Sequence, residues 1–162
     1  FSNSFLVIKA GNLGYQIAII PLFFIVLNLT QTLSSYHIGL RIDKIGSVNM
    51  LLISFAFGVL TQLCLYFNSI WLAFIFLGFF TVSSLNAIRS YISHHAKNKS
   101  TVFGVFYAGT AIFSALGAWL TGYLWNHWSE AVAIMTSITG TLVLTVVFIK
   151  RKNRYQGMNA IK

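Results

Sequence analysis

The side chains able to do chemistry in this chain are few, and most sit inside apolar runs. Asn28, Gln31 and Ser35 recur at helical spacing within one such run, followed by Tyr36 and His37. A later run carries Thr81, Ser84 and Arg89, with Ser83 and Asn86 on an adjoining face. Amides and hydroxyls in hydrocarbon are costly unless they face protein or a water-filled cavity, so they mark a pathway for a polar solute. The competing reading is that they hydrogen-bond neighbouring helices as packing contacts, at about 0.6 kcal/mol each. Bond-breaking chemistry finds little support. The acids total 2, Asp43 and Glu130, and neither has a second acid nearby with which to share a proton. His94 and His95 are adjacent and lack a third ligand, so no metal site is expected, and Cys64 is the single cysteine. No cofactor is implied, and the chain is not expected to be an enzyme.

The elements that must position these groups follow from composition. Hydrophobic residues make up 57% and charged residues 8%, with a mean hydropathy of +0.76, against roughly 25% charged in a soluble domain. Apolar runs of about 20 residues match a hydrocarbon core of about 30 Å at about 1.5 Å per helical residue. Each run must satisfy its own backbone hydrogen bonds, which requires helices and gives an all-α, polytopic membrane bundle. The net charge of +9 does not suggest nucleic-acid binding, because the basic residues fall in short breaks between spans rather than on one face of a soluble domain. Residues 1 to 16 read as the tail of a helix entering a turn at Gly11, Asn12 and Gly14. Full spans are expected over 21–38, opened by Pro21, and over 48–67, 70–92, 102–125 and 131–149. That is five complete spans and one partial, a single unit over 1–155 with a tail at 156–162.

Orientation follows from Lys and Arg, which are retained on the cytoplasmic side of short loops. Arg41 and Lys44 occupy the first break, Lys97 and Lys99 the third, with Arg89 just before it; Lys150, Arg151, Lys152, Arg154 and Lys162 follow the last span. The second and fourth breaks have no Lys or Arg, and Trp71, Trp125 and Trp128 lie beside them as an interfacial belt would. The expectation is a multi-pass protein of the cell inner membrane with the Asp43 break and the C-terminus cytoplasmic, and Glu130 outside.

The segment Gly39-Leu40-Arg41-Ile42-Asp43-Lys44-Ile45-Gly46 resembles the G-x-x-x-D-[RK]-x-G signature in a cytoplasmic loop of major facilitator superfamily transporters. The order NLGYQIAIIPLFFIVLNL, signature, WLAFIFLGFF, GVFYAGTAIFSALGAWLTGYLW is similar to the end of helix seven through helix twelve of that family, its C-terminal half. The resemblance implies a secondary transporter that moves a small polar solute by alternating access and needs a six-helix N-terminal half as partner. It also implies that Gly39, Asp43, Lys44 and Gly46 latch one conformational state, although the family's second basic pair is replaced by Ser47 and Val48. A carboxylate just before a helix start would favour that helix by about 0.3–1 kcal/mol. The alternative is a topogenic loop whose charges stay in water.

Within this scheme the substrate path is expected at Asn28, Gln31, Ser35, Ser84 and Asn86. Lys9 would join it if a cation at the outer end of the first tail meets an anionic solute; snorkelling to the interface is the plainer expectation. Arg89, about one turn from the cytoplasmic end, could gate that side. Where related transporters carry a glutamate in helix ten this chain has Leu85. Proton coupling would then need a carboxylate in the other half, or His37. The small residues Gly104, Ala108, Ala111, Ala115, Ala118 and Gly122 predict close helix packing in the fourth span. Two other readings stay open: a self-contained small membrane protein acting in assembly, and a non-functional fragment of a split transporter gene.

Overall fold

The computed structural model describes residues 3–159, with side chains from 4 to 153. Six α-helices follow in order: α1 (Asn3–Asn12), α2 (Ile20–Ile45, after a short 3-10 turn at Ile17–Ile19), α3 (Ser47–Tyr66), α4 (Ile70–His95), α5 (Lys99–His127) and α6 (Glu130–Asn159). No strand occurs among the described residues. Five helical stretches are long and apolar enough to cross a membrane. The chain is an all-α membrane helix bundle.

The helix ends show why so few residues suffice to turn the chain. After α1, the Tyr15 amide donates to the Ala10 carbonyl and the Gly14 amide to that of Gly11, with Gly14 at φ 83°. This paired closure satisfies two carbonyls that a helix end leaves open, and its left-handed residue favours glycine. Gly14 breaks the chain, whereas Gly11 and Asn12, expected as breakers, stay helical. The α3–α4 turn repeats the closure with Asn68 in the left-handed position at φ 61°; Ser69 donates to Cys64 and Asn68 to Leu65. Pro21 falls in the first turn of α2, where its missing N–H costs no hydrogen bond.

One boundary departs from expectation with consequences for the signature. Residues 39–45 are helical, and only Gly46, at φ 83° and ψ 153°, separates α2 from α3. A single internal glycine costs about 1 kcal/mol, and here Gly39 is offset by the burial of Ile38 and Ile42, one turn apart, against Met50 and Ala87. Asp43 therefore lies in the last turn of α2, exposed, with no hydrogen bond or ion pair to any described residue. It does not cap α3, whose N-terminus has no side-chain cap. Helix ends elsewhere also run past the expected spans: α4 continues to His95 and α6 to Asn159. The expected tail at 156–162 thus begins inside α6. Residues 160–162, with Lys162, and the side chain of Arg154 lie outside the described residues.

Two cores hold the bundle. One gathers Leu6, Phe23, Leu27, Leu65, Phe74 and Ile134 near the α1–α2 turn, where Phe23 stacks on Phe74 at 5.1 Å and meets Trp71 edge-on at 4.6 Å. The other is the Ile38, Ile42, Met50 and Ala87 cluster beside Gly46. Between them α4 packs closely on α2 and α3. A Cβ built on Gly78 would lie 2.9 Å from Thr30 Cβ and 3.1 Å from the Leu27 carbonyl oxygen, and one on Gly58 3.2 Å from the Phe80 ring. The expected small-residue seam of α5 is different. Gly104, Ala108, Ala111 and Ala115 are exposed and Ala118 half-buried; nothing stands within 4 Å of a Cβ at Gly104, while one at Gly122 meets Phe5 at 3.7 Å. Close backbone approach is carried by α4, and α5 leaves most of its surface unpartnered among the described residues.

Candidate functional site

Side-chain hydroxyls in the spans are mostly spent on their own helices. Thr30 donates to the Val26 carbonyl at 2.8 Å, Ser34 to Thr30 at 2.6 Å, Thr81 to Leu77 at 2.8 Å and Ser84 to Thr81 at 3.2 Å. Such back-bonding makes a hydroxyl tolerable in hydrocarbon without any partner outside its helix. Three of the amides differ. Among the described residues, the side chains of Asn28, Gln31 and Asn86 make no hydrogen bond.

Two of those amides share one depression. An open groove of about 420 Å³ runs between α2 and α4, lined by Gln31, Thr32 and Ser35 from α2 and by Thr81, Val82, Leu85, Asn86 and Arg89 from α4. Positions 31, 32 and 35 form one stripe of a 3.6-residue helix, and 81, 85 and 89 another; the packing of α2 on α4 brings the two stripes to one seam. Arg89 donates from Nε to the Tyr107 hydroxyl at 3.2 Å, which ties the groove's end to α5. The groove offers amide donors and acceptors, hydroxyl acceptors and one guanidinium, a set suited to holding a polar solute and carrying no nucleophile–base pair.

Of the expected path residues, Gln31, Ser35, Asn86 and Arg89 come together here. Asn28 is exposed one turn above Ser35's stripe and does not line the groove. Ser84 lies outside the arc that α4 presents, while Thr81 and Asn86, assigned by sequence to different faces, both fall within it. Thr32 and Tyr107 were not anticipated: Thr32 is indistinguishable by type from the hydroxyls around it, and Tyr107 reaches Arg89 only through the packing of α5. His37 is exposed beside Tyr36. The rings of His94 and His95 each turn back onto their own helix, Nδ1 to the Ser90 and Tyr91 carbonyls at 2.7 and 2.9 Å, and no group of metal-ligating residues forms among the described residues.

Lys9 neither snorkels nor faces the groove. It is buried, with 7% of its surface exposed, and its Nζ donates to Glu130 Oε1 in an ion pair joining α1 to the first turn of α6. Phe5, one turn earlier, packs on Trp125 with ring centroids 5.6 Å apart. At the opposite end of the bundle Ser47 donates to Ser90 at 3.0 Å, and Lys152 donates to the Asn49 side chain. The α2–α3 break and the end of α6 therefore share one end, while Glu130 and the tryptophans Trp71 and Trp125 mark the other. Gly39, Lys44 and Gly46 accompany Asp43 at the basic end.

Five helical stretches long and apolar enough to cross a membrane, with a polar groove between α2 and α4, are the setting of a membrane transporter. The chain belongs to the Major Facilitator Superfamily, whose family model matches residues 1–160; members of that family are multi-pass transporters of small solutes in a lipid bilayer. Comparison with curated proteins gives no match, and neither does comparison with solved structures.

Proposed function

We propose that these residues form the C-terminal half of a major facilitator transporter, moving a small polar solute by alternating access with an N-terminal half as partner. The observation that carries this reading is the α2/α4 groove, where Gln31 and Asn86 present amides with no partner inside the described residues. Unspent amides in hydrocarbon are expensive, and a hydrated path between two halves relieves that cost. The uncovered surface of α5 supports a further partner in the same way. Asp43, Lys44, Gly39 and Gly46 act as the latch of this half, with the exposed Asp43 carboxylate free for a helix end of the other half. Arg89, held by Tyr107, serves as an inner gate.

Reconstitution tests this. In proteoliposomes offered a panel of labelled sugars, amino acids and organic anions, this chain alone shows no uptake, and uptake appears when an N-terminal half is co-reconstituted. In that complex, Gln31→Leu and Asn86→Leu each lower uptake about ten-fold, the loss of about 1.4 kcal/mol of solute hydrogen bonding. Thr139→Val, on an exposed face of α6, leaves it unchanged. Robust uptake by this chain alone, or full activity in both amide variants, refutes the reading.

The orientation is part of the proposal: the basic end faces the cytoplasm of an inner-membrane protein. In a Cys64→Ala background, Asn126→Cys is expected to react with an impermeant maleimide added to intact cells, and Lys44→Cys only after permeabilisation. Equal labelling of both in intact cells contradicts it.

A further inference from the structure

A second cavity, of about 660 Å³, opens at the basic end of the bundle and shares no lining residue with the α2/α4 groove. Its walls come from the α2–α3 break at Ile45 and Gly46, the start of α3, the last turns of α4 and the end of the apolar run of α6. Leu51, Ile88 and Phe148 make part of it apolar, while His95, Arg151 and Lys152 bring cations or a proton-accepting ring. No acidic residue lines it. The two acids of the chain are engaged or remote: Glu130 pairs with Lys9 at the opposite end, and Asp43 is exposed in the last turn of α2 outside this lining.

Of the two cations, Lys152 is held in place, whereas Arg151 is exposed and makes no hydrogen bond among the described residues. Lys152 donates to Asn49 Oδ1, and Asn49 donates in turn from Nδ2 to the Ile45 carbonyl at 2.6 Å. This chain of contacts holds the ammonium beside the first turn of α3, whose own N–H groups have no side-chain cap. Like charges gathered without a counter-charge raise the energy of the site until an anion enters. The site also lies where α6 passes from Val146, Val147, Phe148 and Ile149 to Lys150, Arg151 and Lys152, the depth at which a bilayer changes from acyl chain to headgroup.

We propose that this cavity seats the phosphodiester of an anionic glycerophospholipid, with the phosphate between Arg151 and Lys152 and the first acyl carbons against Leu51, Ile88 and Phe148. A guanidinium matches two phosphate oxygens in one plane, and lysine supplies a point charge beside it. Basic pockets between membrane helices hold anionic headgroups by this combination, each Lys or Arg near the surface adding about 1 kcal/mol, or about five-fold in affinity. The apolar wall selects a lipid over a free phosphate ester, which has nothing to place against Phe148.

Native mass spectrometry of the purified chain in a neutral detergent, titrated with phosphatidylglycerol or phosphatidylcholine, provides the test. Phosphatidylglycerol is retained at one equivalent with about ten-fold preference or more. Arg151→Gln lowers that retention about five-fold, whereas Lys97→Gln, an exposed basic residue at the same end but outside the cavity, leaves it unchanged. Soluble glycerol phosphate does not displace the lipid, and Phe148→Ala weakens retention of the lipid. Equal retention of the two lipids overturns the proposal, as does equal loss in the Arg151 and Lys97 variants. Displacement by glycerol phosphate overturns it too, since the site would then take a free anion. The exposed Arg151 variant keeps the test valid if Phe148→Ala fails to fold.

Discussion

Glu130→Gln is expected to destabilise the bundle by about 3 kcal/mol, because it leaves a buried ammonium without its counter-charge. The Lys9 side chain is 9% exposed and that of Glu130 27%, so the two single variants differ. Lys9→Met leaves a carboxylate that still touches solvent, and the cost is smaller, about 1–2 kcal/mol. The double variant Lys9→Met, Glu130→Gln recovers most of the loss, since an uncharged pair carries no desolvation debt. Part of the Glu130 effect survives in any background: as an acid in the first turn of α6 it interacts favourably with the helix N-terminus by about 0.3–1 kcal/mol. Equilibrium unfolding in mixed micelles, read by tryptophan fluorescence as a double-mutant cycle, measures the coupling. A coupling below about 0.5 kcal/mol would show that the pair contributes no more than an exposed one.

Gly78→Leu should be the most damaging single change on α4. The position faces Thr30, whose Cβ and Cγ2 would lie 2.9 and 3.0 Å from an added Cβ, and the Leu27 carbonyl oxygen at 3.1 Å. Neither neighbour can yield: the carbonyl belongs to the α2 backbone, and Thr30 is a β-branched residue whose hydroxyl is already bonded to Val26 at 2.8 Å. Alanine there costs about 1–3 kcal/mol by overpacking. Leucine must push α2 from α4, opening the core around Leu27, Phe74 and Leu77 and widening the groove that holds Gln31 and Asn86. Gly58→Ala is milder, because its nearest neighbour is the Phe80 ring, at 3.2 Å, and a ring can tilt. Gly109→Ala and Gly117→Ala on α5 meet nothing within 4 Å and gain helix propensity of about 1 kcal/mol instead. Thermal unfolding of the purified variants ranks them; a Gly78→Leu protein as stable as Gly109→Ala would mean that α2 and α4 are not in close contact.

These two effects divide along the line between what composition dictates and what packing decides. The five spans, the turns at Gly14 and Asn68-Ser69, and the segregation of basic residues to alternate breaks could all be read from the chain. Each is a one-dimensional property: an apolar run long enough to span a bilayer must be helical whatever its neighbours, and Gly or Asn at a helix end announces a left-handed residue. Helical periodicity made two separate stripes legible, Asn28, Gln31 and Ser35 on α2 and Thr81, Ser84 and Arg89 on α4, but not that Asn28 and Ser84 stay out of the groove between them.

What the chain could not show was which face meets which helix. The small residues of α5 looked like a packing seam and are largely uncovered, whereas the close approach belongs to Gly58 and Gly78, which carry no special pattern. Asp43 was expected to cap α3, yet Ile38 and Ile42 bury against Met50 and Ala87 and keep α2 helical through Ile45, so the carboxylate ends one helix instead of opening the next. Lys9 was expected to reach for water and instead finds Glu130, 121 residues away. Length, periodicity and hydropathy are properties of the chain alone and determined the helices and their order. The partners of Lys9, Gly78 and Asp43 depend on distances between helices, which only the packed bundle specifies.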